Sequence, residues 1–134
     1  MILQNNTFKP DNIGVQESLY FLANGYIGAR GFFEEGYPGD LQGLEGVYMN
    51  GFYDKVPLHH AEIAYGFAEN KDKMPKLFNP LSLEIYLDGE RALLNNKATD
   101  YSFQLDVEEG LSKRAYVYET KEEKKATLSF KRMA

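Results

Sequence analysis

The sequence predicts a mainly β fold, an antiparallel β-sandwich with few short helical turns. Apolar and polar residues alternate along short segments of the second half, which is the period of a strand with one buried face. Turn dipeptides such as Asp88-Gly89 and Glu109-Gly110 separate these segments at short intervals, as they do in antiparallel sandwiches. The chain also holds ten Tyr, nine Phe and no Trp, a set of aromatic residues that favours the half-buried positions of a sheet.

The second half of the chain, after Pro80, is predicted to form a series of strands. Within the longest of them Tyr116 and Tyr118 share one face, opposite Ala115 and Val117. The charged run at residues 121–125 is predicted to be a solvated loop. In chain order the predicted strands are residues 81–87, 91–94, 103–107, 111–120 and 126–131.

The first half is rich in Gly, Asn and aromatic residues and has little sustained periodicity. It predicts a short helical turn at residues 17–22 and two strands, at residues 28–33 and 46–53. No repeat or low-complexity linker divides the chain, so residues 1–134 are predicted to form a single domain. The chain stops directly after a strand pattern, so we expect it to be the front part of a longer protein.

Composition excludes several classes of function. The absence of cysteine rules out disulfides, thiol catalysis and cysteine-based zinc sites, and it fits a cytoplasmic location. The net charge is −5, and two glutamates interrupt the basic run at residues 121–125, so nucleic acid is not expected as a partner. No membrane association is expected either, because no stretch approaches the roughly 18 apolar residues of a membrane span.

Local motifs do not identify a catalytic or metal site. The three glycines of NGYIGARG, at residues 24–31, are not followed by Lys-Ser or Lys-Thr, so we interpret them as positions of tight turns or close packing. His59 and His60 are adjacent, which directs them to opposite faces of a strand, and they are too few to form a metal site. Carboxylates such as Glu34 and Glu35 show no spacing that singles out a catalytic pair.

Ordered motifs of the first half resemble the N-terminal signature of glycoside hydrolase family 65. Residues 17–36 read ESLYFLANGYIGARGFFEEG, which is similar to the family's E-S-L-F, N-G-Y-x-G-x-R-G and acidic segments in that order. Residues 46–54 read GVYMNGFYD, which resembles the family's G-T-Y-I-x-G-x-Y-E segment.

The resemblance continues into the second half. Residues 88–90 match the D-G-E turn of the family's hairpin, although Asn79 stands where a leucine usually precedes the proline. Residues 100–106 resemble the run D-Y-x-x-x-L-D that follows. The next motif, G-x-L-x-R, is matched only at its ends, Gly110 and Arg114.

The resemblance implies a galactose-mutarotase-like supersandwich, followed by a linker, an (α/α)6 catalytic barrel and a small C-terminal β domain. The implied reaction is inverting phosphorolysis of an α-linked glucose disaccharide such as maltose, trehalose, kojibiose or nigerose, although some members are hydrolases. A barrel glutamate protonates the glycosidic oxygen while inorganic phosphate, the co-substrate, attacks the anomeric carbon. No metal or organic cofactor is implied.

This chain corresponds to the N-terminal part of the sandwich, so the barrel is absent, no catalytic residue is carried over and the chain alone is expected to be inactive. The partners implied are the barrel of its own polypeptide, the α-glucoside of the parent enzyme and a second copy in a homodimer. The loops at residues 30–35 and 48–60 combine glycines, polar groups and aromatics, as binding loops do. The candidate substrate-proximal residues are Arg30, Glu34, Tyr48, Tyr53, His59 and His60.

Two other functions stay open. A free-standing carbohydrate-binding sandwich would bind maltose-like sugars by stacking them on exposed tyrosines. A structural fragment would instead associate through its unpaired strand edges.

Overall fold

The structure is a computed structural model that describes residues 1–62, 64–95 and 97–134. These residues form a 3-10 helix at Pro10–Asn12, one α-helix, α1, at Ile13–Leu19, and eleven strands. The prediction of a mainly β fold with antiparallel sheets and short helices is confirmed. The strands are β1 (Ile2–Asn5), β2 (Leu22–Ala23), β3 (Ile27–Ala29), β4 (Val47–Met49), β5 (Asp54–Pro57), β6 (Asn70–Lys73), β7 (Tyr86–Leu87), β8 (Glu90–Arg91), β9 (Thr99–Asp106), β10 (Leu111–Glu119) and β11 (Lys125–Met133).

The largest sheet is antiparallel, with the strand order β1-β9-β10-β11. Its side chains alternate as predicted, so that one face is buried. The register places Arg114 opposite both Phe103 and Phe130, in the middle of the buried face. The buried aromatic and aliphatic residues of this sheet are Tyr101, Phe103, Leu105, Tyr116, Tyr118 and Phe130.

The first half of the chain covers the buried face of this sheet. The ring of Tyr20 stacks on that of Phe103 at a centroid distance of 3.9 Å, and Phe33 packs in the same core. Ala92 and Leu94, which follow β8, complete it. A second sheet, with the order β2-β3-β4, comes from the covering half, and this gives the layered arrangement that a sheet with one apolar face requires.

The turns predicted in the second half are confirmed. Asp88 and Gly89 have φ angles of 49° and 78°, the two positive values that a tight two-residue hairpin turn requires, and they join β7 to β8. Gly110, with φ of 60°, lies in the turn between β9 and β10.

Several predicted boundaries are wrong. The helix spans Ile13–Leu19 rather than residues 17–22. The strand predicted at residues 81–87 is reduced to its last two residues. Leu83 is 50% exposed and its amide donates to the main-chain oxygen of Glu34 at 2.8 Å, a contact with a loop in place of a strand ladder.

The strands predicted in the first half are also shorter than expected. Residues 28–33 keep strand structure only in β3, because residues 31–35 turn into the interior. Residues 46–53 keep it only in β4, because Gly51, with φ of 79°, lies in a turn. Strands β1, β2, β5 and β6 were not predicted, since none of them shows an apolar alternation.

Candidate functional site

Residues 31–35 form a buried loop whose two carboxylates face the central strand β10. Arg114 donates from Nη1 to Glu35 Oε1 and from Nη2 to Glu34 Oε2, both at 2.8 Å, and Nη2 also contacts Glu35 Oε2. Arg132 of β11 donates from Nε to Glu34 Oε1 at 2.5 Å, and Tyr116 Oη donates to Glu35 Oε1 at 2.9 Å. We call Glu34, Glu35, Arg114 and Arg132 the ionic cluster. Its two anions and two cations balance.

Arg114 is the centre of the ionic cluster. Its guanidinium carbon lies 4.0 Å from the ring centroid of Phe33 and 4.2 Å from that of Phe130, so the cation is held between two aromatic faces. Burial alone would lower the pKa of Arg114, but hydrogen bonds and charges of Glu35 and Glu34 raise it. The buried charges are therefore stabilised only as long as the cations and the anions of the ionic cluster are both present.

The pKa of Glu34 makes the stability of the protein depend on pH. Burial alone would raise this pKa, but the charges of Arg114 and Arg132 and their hydrogen bonds hold it below its ordinary value of 4.5. Such a carboxyl stabilises the folded state above its unfolded-state pKa, and this contribution is lost as pH falls through the lower, folded-state pKa.

We therefore expect the free energy of unfolding to fall as the pH is lowered from above 4.5, the ordinary pKa of a glutamate, to below that value. Urea denaturation at a series of pH values measures this dependence. Glu34→Gln removes the titrating group, so this variant should lose less stability on acidification than the wild type. Equal losses of stability on acidification in the two proteins would contradict the conclusion that Glu34 has a lowered pKa in the folded state.

A second buried carboxylate, that of Glu17, connects α1 to residues 37–45. It accepts hydrogen bonds from Arg30 Nε at 3.2 Å, Tyr37 Oη at 2.6 Å and the backbone N–H groups of Leu44 and Glu45 at 3.1 Å each. Two successive amides that point at one anion form a nest. Glu45 has a φ of 42°, a left-handed conformation that is uncommon for a side chain of this type and that lies within the nest.

Gly31 lies where the chain passes closest to the end of α1. A Cβ atom there would be 2.6 Å from Tyr20 Cβ and 2.9 Å from the main-chain oxygen of Tyr20. The interpretation of the motif glycines as packing and turn positions is therefore confirmed here, and also at Gly25, which has a φ of 86° in a turn.

We expect Gly31→Ala to lower the free energy of unfolding by about 1–3 kcal/mol, because the main chain must shift to admit the methyl group. Gly14→Ala is the matched control: Gly14 lies in α1 and a Cβ there would meet nothing within 4 Å. It should raise stability by up to about 1 kcal/mol. Chemical denaturation compares the two, and equal effects would contradict the close packing of Gly31.

Two turns at one end of the β2-β3-β4 sheet carry exposed aromatic side chains. The Asn24 side chain accepts from the N–H groups of Tyr26 and Ile27 at 3.0 Å each. Asn50 fixes the two turns to each other, since its N–H donates to Tyr26 O at 2.7 Å and its Nδ2 to Gly25 O at 3.1 Å. We call this region the aromatic end. Its exposed side chains are Tyr26, Ile27, Met49, Phe52 and Tyr53.

Strands β5 and β6 pair in a hairpin, described at residues 54–62 and 64–73, that we call the hairpin arm. Within the described part of the chain, each of the two strands packs extensively only against the other. Its described residues are exposed, apart from the half-buried Val56 and Leu58. Near its tip, His60 Nε2 lies 2.9 Å from Ala68 O, and the His60 ring lies 4.9 Å from that of Phe67.

The structure separates the predicted site residues into an interior and an exposed group. Arg30 and Glu34 belong to the interior, where Arg30 also donates to Ser18 Oγ at 2.7 Å and Glu34 joins the ionic cluster. Tyr48 and Tyr53 lie at the aromatic end. Tyr48 lines a cavity of about 160 Å³ there, and Tyr53 is 51% exposed with its Oη 3.1 Å from Asn50 Oδ1. His59 and His60 lie on the hairpin arm, and both are exposed.

Sequence reasoning did not assign the roles of Glu17, Glu35, Arg114 and Arg132. Glu17, Glu35 and Arg114 were visible as motif positions, which was the only signal available. Their partners could not be identified, because Arg114 and Glu35 are separated by 79 positions in the sequence.

The buried carboxylate of Glu34 suits a structural role better than proton transfer. A general acid must carry its proton at the working pH. The pKa of Glu34 is shifted in the opposite direction, because the charges of Arg114 and Arg132 outweigh its burial. Among the described residues, no three histidine or carboxylate side chains are grouped as a metal ion would require. No helix in the described ranges is long and apolar enough to cross a membrane.

Comparison with known proteins identifies relatives along nearly the whole chain. An α,α-trehalose phosphorylase of Geobacillus stearothermophilus is 31% identical in an alignment of 134 positions that covers 98% of this chain and 18% of the relative. A maltose phosphorylase of Bacillus subtilis is 33% identical over 116 residues, 86% of this chain and 15% of the relative. A solved structure assigned as a kojibiose phosphorylase from the human microbiome is 32% identical, with a TM-score of 0.76 over 96% of this chain and 17% of that one.

The chain thus spans less than a fifth of the length of these relatives. The family profile that matches is described as the N-terminal domain of glycosyl hydrolase family 65, and it covers residues 3–134. The match and the shared β architecture lead to one conclusion: this chain belongs to glycosyl hydrolase family 65 and corresponds to the N-terminal domain of that family.

Proposed function

We propose that this chain is a segment of the N-terminal, non-catalytic β-sandwich of an enzyme that cleaves an α-linked glucose disaccharide by inverting phosphorolysis. The observation that carries the proposal is the match of residues 3–134 to the N-terminal domain of a family whose relatives include trehalose, maltose and kojibiose phosphorylases. Residues 1–134 act as a single structural unit, the N-terminal part of that sandwich. Catalysis belongs to a helical barrel of the same polypeptide, with inorganic phosphate as co-substrate and no metal or organic cofactor.

The arrangement of the interior supports a scaffolding role. The Glu17 nest and the ionic cluster both use buried, hydrogen-bonded charges to fix loops of the first half of the chain. Arg30 and Glu34 therefore influence substrate binding indirectly, by fixing the positions of these loops. Tyr48, Tyr53, His59 and His60 are the residues that we place nearest to the substrate, because they lie at the aromatic end and on the hairpin arm.

The activity can be tested with the full-length product of the gene that encodes this chain. The enzyme is incubated with trehalose, maltose, kojibiose or nigerose in the presence of phosphate. Inverting phosphorolysis of one of these α-linked sugars should release β-glucose 1-phosphate in a phosphate-dependent reaction. Release of glucose alone, at a rate independent of phosphate, would identify a hydrolase, and no cleavage of any of the four would contradict the proposal.

The substrate-proximal assignment has its own test in the same enzyme. Tyr53→Ala should lower kcat/KM for the preferred sugar, whereas Tyr86→Ala, an exposed aromatic residue of the β7–β8 hairpin, should leave it unchanged. Equal kinetics for the two variants would remove Tyr53 from the site.

We further propose that the enzyme works in the cytoplasm as a homodimer. Sedimentation of the full-length enzyme measures the number of copies directly. A monomer at working concentrations would contradict the homodimer.

An edge-to-edge association is the second candidate function, and one observation favours it. The nine-residue strand β11 is an edge of the largest sheet, and in the described ranges no strand pairs with its outer side. If the chain associates in this way, the 134-residue chain should form oligomers. The substitution Ser129→Pro in the edge strand β11 should disrupt them. A free-standing sugar-binding module would instead show maltose binding by calorimetry.

A further inference from the structure

We propose that the hairpin arm is a docking element whose tip, described at residues 58–62 and 64–69, packs through its exposed aromatic side chains against the catalytic part of the same polypeptide. This inference rests on the proposed function, which supplies that catalytic part. It adds the surface through which the two parts are held together.

The stem of the arm has the properties of a solvated spacer. Its register places Asp54 opposite Lys73 and Lys55 opposite Asp72, so opposite charges face each other across the two strands. All four residues are exposed. Strands of four residues extend for about 13 Å at roughly 3.3 Å per residue, which is the distance over which the stem holds its tip away from the body.

The tip differs from the stem in both composition and shape. It carries the apolar side chains of Tyr65, which is fully exposed, and Phe67, which is 50% exposed. Leu58 N donates to Glu69 O at 2.9 Å and Phe67 N to Ala64 O at 3.2 Å, so local hydrogen bonds give the tip a defined form. Residues 57–60 and 64–69 line a concave space of about 620 Å³ within it.

An exposed hairpin of this kind needs a surface that covers it. A two-stranded hairpin alone is marginally stable in water, and exposed aromatic side chains gain stability when another surface removes them from water. The charged stem does not need such cover, whereas the tip does. The tip is therefore the part that binds.

Two observations point to the same polypeptide as the occupant. In the relatives the matched region makes up only 18% and 17% of the chain, so most of each protein lies outside it. The arm also leaves the body at the aromatic end: it follows β4 directly, Met74 at its base lines the same cavity as Tyr48, and Leu77 N donates to Val47 O at 2.9 Å where the chain returns. The arm and the aromatic end thus belong to one side of the domain, the side on which the proposed function places the residues nearest to the substrate.

Photo-cross-linking in the full-length enzyme tests this docking. Tyr65 is replaced by the photoreactive residue p-benzoylphenylalanine, and in a control protein Lys71 of the stem is replaced in the same way. We expect irradiation to join residue 65 to a peptide beyond residue 134 with no change of mass on a denaturing gel, at a yield at least several times that from position 71. A product of twice the mass would show that a second copy covers the tip, and a yield no higher than the control would show that nothing does. Either result would overturn the proposal.

Hydrogen exchange gives a second readout that does not depend on the cross-linker. In the full-length enzyme, the double variant Tyr65→Ser/Phe67→Ser should exchange the amides of residues 58–69 at least tenfold faster than the wild type, whereas Lys71→Ser should not. Unchanged exchange in the double variant would overturn the docking. Neither readout uses the reaction, so failure of the activity assay and failure of the docking are distinguished.

Discussion

Replacing Arg114 by leucine is expected to lower the free energy of unfolding by about 3–5 kcal/mol. The substitution removes the cation that lies 2.8 Å from both Glu34 and Glu35, while the two carboxylates stay buried. Arg132 still pairs with Glu34, but among the described residues Glu35 keeps only the hydroxyl of Tyr116 as a side-chain partner. Breaking a buried pair costs much more than the pair contributes relative to an apolar interior, because one charge is left without compensation. Urea denaturation at neutral pH measures the loss.

Two controls separate this effect from a general loss of a surface charge. Lys97→Met removes a cation whose side chain is 57% exposed and lies 3.6 Å from Glu119, so it should cost less than about 1 kcal/mol. The triple variant Arg114→Leu/Glu34→Gln/Glu35→Gln removes both signs together and should recover a substantial part of the lost stability. If Arg114→Leu costs no more than Lys97→Met, the ionic cluster does not stabilise the fold in the way described.

Glu17→Gln is expected to have the second largest effect, a loss of about 3 kcal/mol. Glutamine has nearly the same shape, but its amide nitrogen is a donor and meets the donors that now converge on the carboxylate. These donors are Arg30 Nε, Tyr37 Oη and the amides of Leu44 and Glu45. Thermal unfolding, combined with hydrogen exchange at Leu44 and Glu45, reports both the global loss and the opening of the nest.

Glu108→Gln is the matched control for this substitution. Its carboxylate is 83% exposed and pairs with the terminal amine at 2.8 Å, so the loss of one charge there should change stability by less than about 0.5 kcal/mol. Protection of the Leu44 and Glu45 amides should be unaffected in this control. Equal exchange of these amides in Glu17→Gln and wild type would rule out the nest.

The second half of the chain could be predicted from sequence because its signals are local. In β9, β10 and β11 the apolar alternation and the turn dipeptides indicate the same elements, and each strand pairs with its neighbour in the chain. Residues 81–87 show the limit of this reasoning. Their alternation is as regular, but Leu83 is exposed, since a strand also needs a partner edge and the pattern does not say whether one exists.

The candidate site was less accessible to prediction. The side chains of the ionic cluster come from segments separated by 79 to 98 positions, and no spacing rule connects them. The hairpin arm was also missed, because both faces of β5 and β6 are solvated and their sequences carry no periodic apolar signal. Tyr53, His59 and His60 were selected for being polar or aromatic in a loop, and their place in the full enzyme stays a prediction.

The ionic cluster has a consequence for the order in which the chain can fold. Glu34 precedes Arg114 by 80 residues and Arg132 by 98, so both carboxylates leave the ribosome long before either cation does. A nascent chain that has not reached β10 has neither arginine of the ionic cluster, so it keeps residues 31–35 in water, and a chain that stops before β11 still lacks Arg132. Contacts of such long range form slowly, so we expect the interior around residues 31–35 to close late, after both β10 and β11 have been made.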